Sequence, residues 1–267
     1  ALRPAQHRPP AARPGVFFCV AVGQAGNLSV MSFLSRLFGR NRVVLEETAA
    51  QRLAAWRTLP ETKGREHDAA AGRFVVVDVE TTGLNLAKDR LISIAAIAMT
   101  GRQIALGETY ETILRQDAAS AKENILLHGI GGTAQVEGES PVDALLGFLE
   151  FVGKDPLVAY HAAFDEGMIR KAVQQYLGFK LQHRWLDLAF VAPGLYPELA
   201  SRFRALDDWT GYFDIPNYAR HNAMADSLAT AQLGLIVFAR ARQKGVHDLQ
   251  GLQDLDHVQR MRQHYRA

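Results

Sequence analysis

The stretch Phe74–Leu84, FVVVDVETTGL, is an apolar run that ends in two carboxylates one residue apart, where a strand has no folding reason to carry them. Side chains at i and i+2 of a strand share a face, so Asp78 and Glu80 converge on one point beside an otherwise buried strand. Two uncompensated charges there would repel each other and raise their own pKa values. A hard divalent cation removes the conflict, and carboxylate oxygen favours Mg²⁺ or Mn²⁺. The plainer reading is a strand leaving for solvent, with Thr81, Thr82 and Gly83 as an ordinary turn.

Two distant settings supply the further acids that a shared cation would need. In residues 156–170, PLVAYHAAFDEGMIR, a short buried strand turns directly into a helix with Asp165 at the turn. Asp is a favoured helix cap, yet an acid at the C-terminal end of a strand in an open α/β sheet also stands where ligands bind. In residues 221–233, HNAMADSLATAQL, a long apolar helix starting near Asn222 would hold Asp226 one turn inside, with His221 at its mouth.

Taken in order, these three motifs resemble those of the DnaQ-like 3′–5′ exonucleases of the DEDDh type, a family that includes the proofreading epsilon subunit of bacterial DNA polymerase III. The resemblance runs from about Arg73 to Lys244. Asp78-Val-Glu80-Thr81-Thr82-Gly83 matches the first motif, D-x-E-T-T-G, and Phe164-Asp165 ends the second. His221 five residues before Asp226 matches the third, and this His separates the type from relatives that use Tyr. Two positions depart from the pattern: Ala162 follows His161 where many relatives have Asn, and Leu188 follows Asp187 where a D-T-L segment has Thr. Asp187 is read as a helix cap rather than a fifth acid.

The resemblance implies a ribonuclease H-like α/β fold and a two-metal hydrolysis at phosphorus. Asp78, Glu80, Asp165 and Asp226 would hold two Mg²⁺ ions, with Mn²⁺ as a substitute. His221 would take the proton of the attacking water, and the product would be a nucleoside 5′-monophosphate released from a 3′ end. Thr81, Thr82 and Gly83 are candidates for holding the terminal nucleotide through hydroxyls and close backbone approach. Leu84 and Phe164 are candidates for stacking on its base, although core packing also accounts for Phe164. The expected substrate is a single-stranded 3′ end, DNA in preference to RNA, with a DNA polymerase as a candidate partner. An RNA-trimming enzyme with the same site and a noncatalytic scaffold are the alternatives.

Hydrophobic periodicity agrees with that fold. Strands are predicted at Phe74–Val79, Leu91–Met99 and Ile104–Leu114. Alternating units follow: helix Pro141–Val152, strand Leu157–Tyr160, and helices Glu166–Leu177, Arg204–Trp209 and Asn222–Arg242. Strands first and β-α alternation afterwards predict a mixed central sheet flanked by helices. Residues 73–245 are read as the exonuclease domain and 246–267 as a helical tail.

Residues 31–72 are read as a helical extension. It comprises an amphipathic stretch from Phe33 to Phe38 expected to pack back on the domain, a helix Glu46–Leu59 and a polar linker around Glu61–Gly72. Residues 1–30, rich in Pro, Arg and Ala and free of acids, suit a disordered leader or a foreign segment, with Met31 as a natural start. The single cysteine, Cys19, suits a reducing, cytoplasmic setting, and no apolar run approaches the roughly 18 residues of a spanning helix. Charge is uneven: residues 1–72 carry ten Lys/Arg against five Asp/Glu, and residues 73–245 carry 17 against 20. That mildly acidic region disfavours tight, salt-driven duplex binding and favours a short grip on a 3′ end.

Overall fold

The computed structural model describes residues 43–217 and 219–264; the expectations for the leader, Met31, Cys19 and the Phe33–Phe38 stretch lie outside these residues. Five strands, β1 (Phe74–Thr81), β2 (Leu91–Met99), β3 (Ile104–Ile113), β4 (Leu157–Ala159) and β5 (Trp185–Asp187), form one sheet of order β3-β2-β1-β4-β5. The first three are antiparallel neighbours, and β4 and β5 run parallel to β1. The helices are α1 (Glu47–Arg57), α2 (Lys122–His128), α3 (Gly132–Val136), α4 (Pro141–Val152), α5 (Ala163–Tyr176), α6 (Leu188–Leu195), α7 (Leu206–Tyr212), α8 (Ala223–Gln243) and α9 (Leu249–His264). None of them is long and apolar enough to cross a membrane.

β2 is buried at all nine positions, as a strand covered by helices on both faces must be. The alternation of β1 divides the core in two. Val75, Val77 and Val79 pack with α4, α5 and α1 on one face, whereas Phe74 and Val76 pack with α6, α8 and Leu249 and Leu252 of α9 on the other. Asp78 and Glu80 share the parity of Phe74 and Val76. They therefore project to the side from which α8 brings Asp226.

The structure moves several elements from their expected places. α5 begins at Ala163 rather than Glu166, so Asp165 lies inside the first turn and the cap position is Ala162, which has no capping side chain. α7 begins at Leu206 rather than Arg204 because the Asp208 carboxylate reaches back to the N–H groups of Arg204 and Ala205, at 2.7 and 2.8 Å. The expected linker at 61–72 is packed: Ala69 is fully buried, and its N–H donates to the His247 carbonyl while Leu249 N–H donates to that of His67. α1 docks through Leu53 and Trp56, whose indole N–H donates to the Gly153 carbonyl at 2.8 Å.

Candidate active site

The turn after β1 is shaped by its own side chains. Thr81 donates its hydroxyl proton to the Gly83 carbonyl at 2.7 Å, and Thr82 donates to Asp89 Oδ1 at 2.9 Å while accepting from Arg90 N–H. A Cβ on Gly83 would lie 2.6 Å from Asp89 Oδ2, so any larger residue there would have to displace this carboxylate. Lys171 closes the loop from α5 by donating to the carbonyls of Leu86, Ala87 and Asp89. Both threonine hydroxyls, expected to face a nucleotide, are thus engaged within the loop that they build.

Asp78, Glu80, His221 and Asp226 line one pocket of about 590 Å³, with Thr81, Gly83, Leu84 and Phe164 in its wall. Leu84 is 86% exposed, and Phe164 is packed partly into the core. Thr82 is not part of the lining, and neither is Asp165, which lies almost fully buried. Asp165 is nonetheless near enough for its charge to act on Asp78.

Electrostatics tie the acids together. Burial drives the Asp78 pKa well above the carboxylate range, and the charges of Asp165, Asp226 and Glu80 add to that rise. Glu80 is pushed up to about 8 by burial and then by Asp226. Burial also raises Asp165, with the charges of Asp187 and Glu80 contributing. The Arg220 guanidinium opposes the shifts at Asp78 and Glu80. Asp226 is held from three directions: its Oδ1 accepts from Asn217 Nδ2 at 2.5 Å and from Arg220 Nη1 at 2.6 Å, and its Oδ2 accepts from His221 N–H at 3.0 Å.

Among the described residues, no three His, Cys, Asp or Glu side chains form a ready-made metal cage. What exists is a set of carboxylates short of positive charge, and oxygen donors with that deficit fit hard divalent cations.

Sequence reasoning did not single out His128 or Asn124 at this pocket, and it did not foresee the backbone of the two histidines that it did name. His161 and His221 adopt left-handed backbone conformations, φ 64° and 61°, which non-glycine residues keep mainly where the surroundings hold them, often at functional sites. His128, at the end of α2, is 4% exposed; its Nδ1 accepts from Ile130 N–H, and its buried Nε2 has no partner at the pocket edge. Burial lowers the imidazole's pKa, and because Nδ1 accepts from Ile130 N–H the neutral ring carries its proton on Nε2. Asn124 ties α2 to the β1 turn through the Thr82 carbonyl. Only side-chain chemistry could have flagged these residues, because a seven-residue helix is too short for a periodic signal.

The mixed sheet and the placement of acids around its β1 and β4 ends define the ribonuclease H-like class. Within it, the chain belongs to the DnaQ-like DEDD exonucleases: residues 75–233, more than half of the chain, match the RNase T exonuclease family. A DNA polymerase III of PolC type from Bacillus subtilis is 33% identical over 178 residues, 66% of this chain and 12% of that protein. The Thermotoga maritima PolC-type polymerase is 27% identical over 68% of this chain and 13% of its own length. The chain therefore spans about an eighth of these relatives. Escherichia coli exonuclease I in complex with a dA16 oligonucleotide shares the fold, with a TM-score of 0.56 at 20% identity over 64% of this chain and 42% of that one.

Proposed function

We propose that this chain is a divalent-metal-dependent 3′–5′ exonuclease that removes nucleoside 5′-monophosphates from single-stranded 3′ ends of DNA. The observation that carries this reading is the pairing of Asp78 and Glu80, desolvated side by side in a pocket that also holds Asp226 and His221. Asp78, Glu80, Asp165 and Asp226 are assigned as the ligands of two Mg²⁺ ions. When bound, they would supply positive charge to an in-line displacement at phosphorus.

The chain's own groups do the rest. His221, fixed by its backbone N–H on Asp226, takes a proton from the attacking water. Leu84 and Phe164 flank the terminal base, with His128 in the same wall. Arg220 meets the phosphate as a charged donor. DNA is favoured over RNA because the PolC-type relatives are DNA polymerases and the exonuclease I structure carries a DNA oligonucleotide; the same relatives make a DNA polymerase the favoured partner.

The test is digestion of matched single-stranded DNA and RNA, 5′-labelled, with product sizing and nucleotide identification. Stepwise shortening of DNA from its 3′ end, lost with a chelator and lost in Asp78→Ala of unchanged circular dichroism, supports the assignment. Internal cuts alone, or nucleotide release undiminished in that variant, would overturn it.

A further inference from the structure

Behind the pocket lies an ion pair that the proposed chemistry does not use. Asp187 closes β5 at 1% exposure. Its Oδ1 accepts from Ala189 N–H at 3.0 Å, which caps α6 as the sequence predicts, and also from His161 N–H at 2.9 Å. Its Oδ2 accepts from Arg260 Nη2 at 3.0 Å. Its own backbone N–H donates to Asp256 Oδ2 at 3.0 Å, and Arg260 Nε donates to Asp256 Oδ1. The Arg260 guanidinium also lies over the Phe190 ring, 4.1 Å from its centroid. Two residues of α9 therefore grip Asp187 by main chain and side chain together.

The far end of this grip is His161. Its left-handed backbone sets the origin of α5, whose first bonds run from Phe164 N–H to the His161 carbonyl and from Glu166 N–H to that of Ala162. Asp165 sits between them. A helix cap alone needs only the Ala189 bond, and a buried ion pair is a poor source of stability compared with apolar packing. The additional contacts all bear on where the β4–α5 turn stands.

We propose that Arg260 is a positioning residue for the metal site: through Asp187 it fixes the His161 turn and with it the placement of Asp165 beside Asp78. The proposal rests on the exonuclease reading above, and it brings α9, which lies beyond the 75–233 family match, into the working unit.

The experiment measures Mn²⁺ binding to the purified chain by titration calorimetry without nucleic acid, alongside kcat, KM and melting temperature. Arg260→Met keeps the stem over Phe190 and removes the guanidinium. Its Mn²⁺ affinity and kcat are expected to fall roughly tenfold, as when a partner that orients metal ligands is lost, with KM little changed and partial recovery in Arg260→Lys. Should Arg260→Met not fold, Asp256→Asn, which keeps an acceptor for Asp187 N–H while loosening Arg260, is expected to shift both quantities the same way. A lowered melting temperature with wild-type Mn²⁺ affinity and kcat in whichever variant folds would make the ion pair merely structural and overturn the proposal. A wild-type chain that neither binds Mn²⁺ nor releases nucleotides would instead overturn the exonuclease reading beneath it.

Discussion

Arg220 Nη1 lies 2.6 Å from Asp226 Oδ1, while its Nε reaches Asp207 at 2.8 Å, so one guanidinium bridges α7 and the start of α8 beside the pocket. Under the proposed function this pairing would compete with a cation for Asp226 while offering a charged donor to a substrate phosphate. The two roles separate by experiment. In Arg220→Met, Mn²⁺ affinity measured without DNA should be equal or higher, because Asp226 is freed. kcat/KM should fall by roughly ten- to a hundredfold, the loss of one hydrogen bond to a charged group. A parallel fall in both would argue against a phosphate contact.

Asp78→Asn should exchange activity for stability. It removes a desolvated carboxylate whose neighbours are Asp165, Asp226 and Glu80, so the metal-free variant should melt higher than wild type at pH 8. For a chain of this size each kcal/mol is worth about 2–4 °C. Nucleotide release should vanish, and added Mg²⁺ should no longer raise the melting temperature appreciably. Calorimetry with and without Mg²⁺ reads both effects.

The same cluster predicts how stability varies with pH. Folded Glu80 keeps its proton up to about 8, against an ordinary value of 4.5. Between those values the folded chain binds more protons than the unfolded one, so this group's contribution is complete below about 4.5 and is lost as pH climbs through about 8. Metal-free melting temperatures should therefore decline more steeply across that window in wild type than in Glu80→Gln. Mg²⁺ should flatten the wild-type curve, because the cation replaces the proton. Identical slopes in the two proteins would contradict the assignment.

His221→Asn tests proton transfer apart from metal binding. His221 holds Asp226 through its backbone N–H, a bond that the substitution retains. kcat should drop by about 10²–10⁴, the usual range for a lost general base, while Mg²⁺ still raises the melting temperature. Loss of the metal response would assign the ring to cation binding instead.

Much of this arrangement was legible in the chain, for identifiable physical reasons. β2 and α4 have the predicted limits because long apolar or periodic runs dictate burial whatever the surroundings. Asp78 and Glu80 stood out because charges at the end of a buried strand conflict with folding. Asp165 was placed at the strand-to-helix turn, but its helix begins three residues earlier than periodicity indicated, since the His161 backbone rather than a capping side chain starts it. The threonine hydroxyls, read as candidates to hold a nucleotide, donate instead to a neighbouring carbonyl and to Asp89, the latter a contact made seven residues on that periodicity does not reveal. His128 and Arg220 escaped because their significance lies in tertiary partners, missing for one and doubled for the other.

The backbone pairing of residues 67 and 69 with 247 and 249 carries a practical corollary for anyone making shorter versions of this protein. Trimming to the family match would discard Leu249 and Leu252 together with the Arg260 clamp, and would also remove Phe74, Ala69 and Phe238 from the same core cluster. A recombinant fragment with those limits should aggregate, and one running from Val43 through His264 should remain monodisperse.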